Sequence, residues 1–426
     1  MKAILLSLGL FTVAATAQVS SPPLYIAHEW GTFTSVQGAD GVQMFWNPLR
    51  AVDLPKFVYN WMGSPDLGFL AKTSYICRQR METPVIYFYS KEPVDVDVSV
   101  DFPNGKITEW YPQSATPARL KAIAAEKKLE RGPSLVWEKV HVAPQTEADN
   151  ATTLIDDKTN SHYYAARETD SALVKTVSKK GTPEVEKFLF YRGTGNFDAP
   201  ITVKLEGTDH RTVSVENRTA EELTDLYLFQ NDGAHHGWLK IAHLNPSEKR
   251  SVSLDELTPV ISISELTSVL TSEFHDALVR QGLYDKEASA MVKTWEQSWF
   301  CESGLRMLYP VTRHFTDQVL PIRITPAPQD LVRVMVGRAE IITPDAEKLL
   351  ENAVDRYVKA GDDKAARAQI AEEVHKYGFG RFEEAILRRV LTDPNHGKEF
   401  NSLSWELLQQ ATELDRAAAK SEASKS

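Results

Sequence analysis

The sequence predicts an α+β fold in which β-sandwich-like antiparallel sheets come first and a helical region closes the chain. Three observations predict it. Period-two patterning dominates from Leu24 to about Leu254, the mark of strands with one buried face. The period changes to helical spacing after Pro259. From Thr343-Pro344 to Leu414 the pattern is helical throughout.

Residues 25–36 read as a long strand rich in aromatic and β-branched side chains. Gly38-Ala39-Asp40-Gly41 then turns the chain into a second strand at 42–46, and residues 83–89 form another apolar strand. The cleanest alternation is Val94-Asp95-Val96-Asp97-Val98-Ser99-Val100-Asp101, valines to one face and acids to the other. Pro103-Asn104-Gly105 supplies turn chemistry and residues 106–111 return, so this stretch reads as a hairpin with one wet face. A short surface helix is expected at 121–130, a strand at 134–142 and a polar loop at 146–160. Further strands at 187–191, 201–205, 212–215, 225–229 and 238–243 have the spacing of a β-sandwich, by analogy fibronectin- or Ig-like.

Residues 264–281 place Leu266, Val269, Leu270, Phe274 and Leu278 on one helical face. Asp285 caps a second helix reaching Trp299, with a stripe of Ala288, Met291, Val292 and Trp295. Strands return at 305–309, 320–325 and 331–342. Thr343 as cap with Pro344 at the first helical position starts about four helices, broken near Gly361, Gly378–Gly380 and 393–397. The organisation expected is a signal peptide at 1–17, a β-rich sandwich-like region at 18–259, a mixed helix and strand region at 260–345, and a helical region at 346–426.

The first region rests on Met1-Lys2, an apolar run from Ala3 to Ala15, and Ala15-Thr16-Ala17 before Gln18. A positive start, a short apolar core and an A-x-A site make a secretory signal, and the run falls short of the roughly 20 residues a span needs. A periplasmic or secreted chain with no integral membrane segment after cleavage is therefore expected. The net charge of −10 disfavours nucleic acid, which wants a basic face. Of the two cysteines, Cys77 and Cys301, sequence leaves open a disulfide or two thiols. There is no G-x-S-x-G elbow, Walker A loop, G-x-G-x-x-G, H-E-x-x-H or EF-hand loop, so serine hydrolase and nucleotide functions lose support and the cofactor stays unknown.

The candidates for chemistry are few. His28 and Glu29 alternate along the first strand, so they reach one pocket only across a bulge. Otherwise His28 is a buried, hydrogen-bonded core histidine. It is expected to lie inside, against the 81–89 strand, with Glu82 as its nearest carboxylate candidate. Glu82, near Arg78 and Arg80, is either an acid–base group at a strand mouth or half of a salt bridge. Arg192, before Gly193-Thr194-Gly195-Asn196, ends a strand in a glycine loop that suits an anion or simply turns. His235 and His236 are candidate metal ligands or exposed turn histidines. Trp295 and Trp299 share a helical face, fit for a carbohydrate groove or for the core.

His28-Glu29-Trp30-Gly31-Thr32-Phe33-Thr34-Ser35, the Met81 to Tyr89 run, Phe190-Tyr191-Arg192-Gly193 and residues 305–325 resemble a group of exported bacterial proteins of uncharacterised function that open on a HEWGTFT strand. The resemblance covers most of the mature chain. It implies that these segments belong to one fold, and no activity or catalytic residue.

The leading expectation is a non-catalytic binding or structural protein of the periplasm or cell exterior, with a small molecule or glycan as the possible partner. The alternative is a metal- or carboxylate-dependent hydrolase of a glycan or peptide, carried by His28, Glu82 and Arg192. N-terminal sequencing of the exported chain is expected to begin at Gln18; a start at Met1, or recovery in the membrane pellet, would show the export reading to be wrong.

Overall fold

The computed structural model describes residues 24–48, 54–60, 76–115, 117–126, 134–144, 154–157, 161–177, 181–232, 235–394 and 396–423. The expected signal segment and most of the expected loop at 146–160 lie outside the described residues. In chain order the first strands are β1 (Tyr25–Gly38), β2 (Tyr59–Asn60), β3 (Gln79–Ser90), β4 (Val94–Val100), β5 (Gly105–Tyr111) and β6 (Leu135–Ala143). There follow β7 (Leu173–Val177), β8 (Pro183–Glu186), β9 (Leu189–Gly195), β10 (Ile201–Glu206), β11 (Thr212–Asn217) and β12 (Leu223–Asn231). The last are β13 (His236–Leu244), β14 (Lys249–Ser253), β15 (Thr258–Val260), β16 (Gly304–Val311), β17 (Ile322–Thr325) and β18 (Asp330–Ile342).

Among the described residues these make a ten-stranded sheet in the order β15-β13-β12-β16-β18-β1-β3-β9-β5-β2. A three-stranded sheet runs β10-β11-β14 and a five-stranded one β17-β4-β6-β7-β8. The fold is α+β, with large antiparallel sheets in the N-terminal part and helices toward the C-terminus. The ten-stranded sheet crosses residue 259, where the sequence suggested a boundary, because β16 and β18 belong to it.

β1 pairs antiparallel with β3 on one side and parallel with β18 on the other. Every residue of β1 except Ile26 is buried, so neither face is wet. Trp30, with Tyr87, Phe190, Leu308 and Val336, lies under the helices Ile263–Arg280 and Asp285–Glu296. Phe33, on the opposite face, shares a core with Ile86, Tyr191 and Met307 and with valines of β4, β10 and β11. Gly31 is dictated by closeness, since a Cβ there would stand 2.0 Å from the Thr83 carbonyl oxygen.

The same strand carries a charge into the core. Glu29 accepts from Arg333 Nε at 2.6 Å and from the Tyr191 hydroxyl at 2.7 Å. Arg333 also donates to the Leu320 carbonyl at 2.8 Å and pairs with Asp317 at 2.6 Å. Glu29 and Arg333 are both buried, so desolvation is offset only by this full set of partners.

Two local expectations are corrected. The 94–111 stretch is not a hairpin: β4 pairs with β6 and β17, whereas β5 pairs with β9 and β2. Phe102 is buried at the corner, its backbone N–H held by Asp101 and Ser134. Its ring lies where a Cβ on Gly105 would go, wedging the strands into different sheets. Residues 42–46 form no strand, only the isolated bridges Gln37–Gln43 and Trp46–Cys77. Cys77 and Cys301 are free. Cys77 donates to the Gln79 carbonyl at 3.1 Å, and burial pushes its thiol up to about 12. Cys301 closes a π-helical turn, Gln297–Cys301, beside Thr267.

The helical region begins as the sequence predicts, with the Thr343 hydroxyl accepting from the Ala346 N–H and Pro344 in the first turn. The helices Pro344–Lys359, Lys364–Lys376, Glu383–Val390 and Lys398–Ala423 follow. Leu350, Val354, Ile386 and Leu407 pack there with Val36 and Ile342, at the ends of β1 and β18. Asp285 is the first residue of its helix rather than the cap, a place taken by Tyr284.

Glu29→Ala leaves Arg333 without its buried counter-charge. Chemical denaturation is expected to show a loss of about 3–5 kcal/mol, and a loss below about 1 kcal/mol would contradict the assignment of this pair.

Candidate functional site

Strand register lines up a row of charge across one face of the large sheet. Arg306 on β16 faces Glu340 on β18, and Thr34 on β1 lies between Arg338 and Arg80. Arg192 on β9 faces Glu109 on β5. The pairing of β3 with β9 shifts between Met81 and Val85, and Glu82 sits in that irregular stretch. All seven of these residues and Glu82 are buried.

Side chains from outside the sheet complete the row. Arg381, on the short turn before the Glu383–Val390 helix, reaches Glu82 at 2.5 Å, and Arg80 Nε stands 3.3 Å from the same carboxylate. The Thr34 hydroxyl donates to Glu82 at 3.2 Å. The π-helical turn presents the Ser298 hydroxyl to both Arg338 and Arg381, at 3.1 Å each. Arg338 bonds Glu302 and Glu340 at 2.7 Å each. Arg192 binds Glu109 at 3.0 Å and donates to the Tyr163 hydroxyl at 3.2 Å.

Burial alone would raise the Glu82 carboxyl, but Arg80, Arg381 and Arg192 outweigh it and bring the group from its ordinary 4.5 down to about 2. Burial opposes ionisation of Glu302 too, and Arg338, Arg381 and Arg306 bring it below the usual range. These carboxylates are held ionised and are poorly suited to donate a proton near neutral pH.

Of the predicted trio, Glu82 and Arg192 thus lie in one electrostatic network, and His28 does not. His28 is buried on β1 opposite Tyr87, as periodicity predicts, six residues from Thr34 and so about 20 Å along the strand. Its carboxylate is Glu287, not Glu82. His28 Nδ1 lies 2.7 Å from Glu287, which also accepts from the Tyr89 hydroxyl and the Tyr284 N–H at 2.9 Å each. The Tyr284 ring packs on the imidazole at 4.4 Å between centroids. Two shallow clefts border this group and share Tyr89 and Asp170 in their walls.

The remaining candidates are placed plainly. β9 does not end in a glycine loop at Arg192 but runs on through Gly195, bonded on both sides. Gly193 is needed there because a Cβ would stand 2.4 Å from the Lys106 carbonyl oxygen. His235 is exposed and pairs with Asp232 at 3.1 Å, while His236 begins β13. No group of three metal-ligating residue types forms around these histidines among the described residues. Trp295 and Trp299 are core residues, both buried under the large sheet's helical layer.

A cleft of about 500 Å³ opens where the 207–211 turn, the ends of β12, β16 and β18, and the C-terminal helices meet. Asp209, Gln230 and Asp345 line it together with Tyr377 and Phe379, whose rings lie 5.4 Å apart. Sequence reasoning missed this site because its walls come from distant segments. It also missed Glu287 and Arg381. One signal was available for the charged row: Arg80-Met81-Glu82 and Arg338-Ala339-Glu340 repeat arginine and glutamate on the same face of two strands.

No family model and no curated protein matches the chain. Among solved structures it is similar to the yeast delta-COP-I mu-homology domain, alone and complexed with a Dsl1 WxWxV peptide, at 7% and 8% identity. Each match covers 76% of this chain and 100% of the other, with TM-scores of 0.29 and 0.30, values too low to carry an argument. No helix among the described residues is long and apolar enough to cross a membrane.

Because the folded Glu82 carboxyl titrates near 2 and an unfolded one near 4.5, its contribution is full above pH 4.5 and is lost as pH falls toward 2. The shift corresponds to about 3 kcal/mol. Denaturation across that window is expected to show a steeper loss of stability in the natural chain than in Glu82→Gln; equal slopes would contradict the assignment.

Proposed function

We propose that the chain is an exported, non-catalytic binding protein that takes a polyhydroxylated ligand, a glycan segment, in the cleft lined by Asp209, Gln230, Asp345, Tyr377 and Phe379. The observation that carries this is the contrast between the two polar regions. Each side chain that sequence marked for catalysis is satisfied inside the fold: Glu82 by Arg80 and Arg381, Arg192 by Glu109, and His28 by Glu287. The cleft instead offers carboxylates and an amide beside aromatic rings, the combination that meets sugar hydroxyls and apolar sugar faces. Export rests on Lys2, the apolar run and Ala15-Thr16-Ala17, and kinship with the exported HEWGTFT group rests on the shared segments.

A second reading, a secreted hydrolase, draws on the His28–Glu287 pair, in which a carboxylate orients an imidazole next to solvent-facing clefts. The two readings separate in one experiment. Calorimetry with cello-, chito-, xylo- and manno-hexaose is expected to give binding to at least one, weakened about ten-fold or more by Asp209→Ala and by Phe379→Ala, with no new reducing ends after incubation. Absence of binding, or binding indifferent to both substitutions, overturns the cleft. Release of reducing ends that His28→Gln abolishes in a folded protein favours the hydrolase.

A further inference from the structure

We propose that the Arg381–Glu82 ion pair holds in place the aromatic rings that line the cleft, which makes Arg381 a positioning residue for ligand binding; the inference rests on the reading of that cleft as the binding site. The rings belong to Tyr377-Gly378-Phe379-Gly380-Arg381-Phe382, the connection between the Lys364–Lys376 and Glu383–Val390 helices. Tyr377, Phe379 and Phe382 all line the cleft. Phe379 stands between two glycines with φ of +71° and +51°, a region that costs glycine little and other residues more. Glycine also leaves a backbone many alternatives, and a Cβ on Gly380 would meet nothing within 4 Å, so close packing does not fix the chain there. The position of the Phe379 ring has to be defined from elsewhere.

Arg381, two residues on, supplies the anchor. Its guanidinium donates to Glu82 at 2.5 Å and to the Ser298 hydroxyl at 3.1 Å, with Nε 3.5 Å from Glu302. Glu82 belongs to β3 and Ser298 to the π-helical turn, so one side chain ties the connection to two other parts of the fold. The Phe382 ring receives both Arg381 and Arg338, whose Cζ atoms stand 4.9 and 5.0 Å from its centroid. On the other side of Phe379, the Tyr377 hydroxyl donates to Glu373 of the preceding helix at 2.7 Å. Phe379 is thus flanked by a ring fixed to a helix and a guanidinium fixed to the sheet.

Glu82 is buried, and a buried pair is costly to open once formed. The anchor therefore keeps the rings where a ligand meets them, and binding is spared the cost of ordering them. Release of the anchor should be read as mobility of the connection first and as weaker binding second.

The test follows both in the full chain. Without ligand, amide hydrogen exchange in 377–382 is expected to speed up about ten-fold or more in Arg381→Gln, with β1, β3 and β18 unchanged, and Arg381→Lys should recover part of the protection. Calorimetry with whichever hexaose the natural chain binds should show affinity weakened about ten-fold in Arg381→Gln, less in Arg381→Lys. Arg381→Gln combined with Glu82→Gln should weaken binding no further than one of them alone, since both break the same link. Ser298→Ala, which removes one bond to the guanidinium, serves if Arg381→Gln fails to fold. Unchanged exchange in 377–382, exchange that rises equally through the strands, or a loosened connection with undiminished affinity overturns the proposal. If no hexaose binds the natural chain, the cleft reading falls by itself, and exchange in 377–382 alone decides whether Arg381 holds the rings.

Discussion

Everything in this molecule hangs on β1, a strand from the start of the described chain wedged between β3 and β18, and buried on both faces. Such a strand has one permitted register. A slip by one residue would turn Trp30 out of the helical layer and move Glu29 away from Arg333 and Tyr191. The helices between β15 and β16 lie over one face, the two smaller sheets share the core of the other, and the C-terminal helices close its end. Each layer depends on that alignment.

Charge is the second constraint. Both faces of the large sheet bury ionised groups: Glu29 with Arg333 on one, and the arginine–glutamate row on the other. Taking such groups from water is costly, and pairing recovers that cost only when geometry is complete. The partners here come from different strands and helices, so the row is complete only when sheet, π-helical turn and C-terminal region are all in place. This gives the charges a role in specifying the arrangement of parts, and it explains why residues with the look of an active site are fully engaged within the protein.

Local pattern was the legible part of the sequence. Alternation at Val94–Val100, the Thr343 cap and the apolar face of Ile263–Arg280 all appear where periodicity puts them. Partnership was not legible. The turn at Asn104 looks like a hairpin turn, yet β4 and β5 part into separate sheets around the buried ring of Phe102. The burial of His28 followed from sharing a face with Trp30, but its carboxylate lies 259 residues away on a helix, beyond any spacing rule. Arg381 reaches Glu82 from 299 residues away for the same reason. Chemistry assembled from distant segments leaves little trace in single-sequence periodicity.

The parallel pairing of β1 with β18 also governs timing. Glu29 and Arg333 are separated by 304 residues, so at 5–20 residues per second the second strand emerges from the ribosome about 15 to 60 seconds after the first. Until then one edge of β1 has no mate, and contacts of such long range are slow to form. The nascent chain therefore stays incompletely closed through most of its synthesis. Until β18 arrives, the open edge of β1 is a template for pairing with other chains, so the order of synthesis sets how long that hazard lasts.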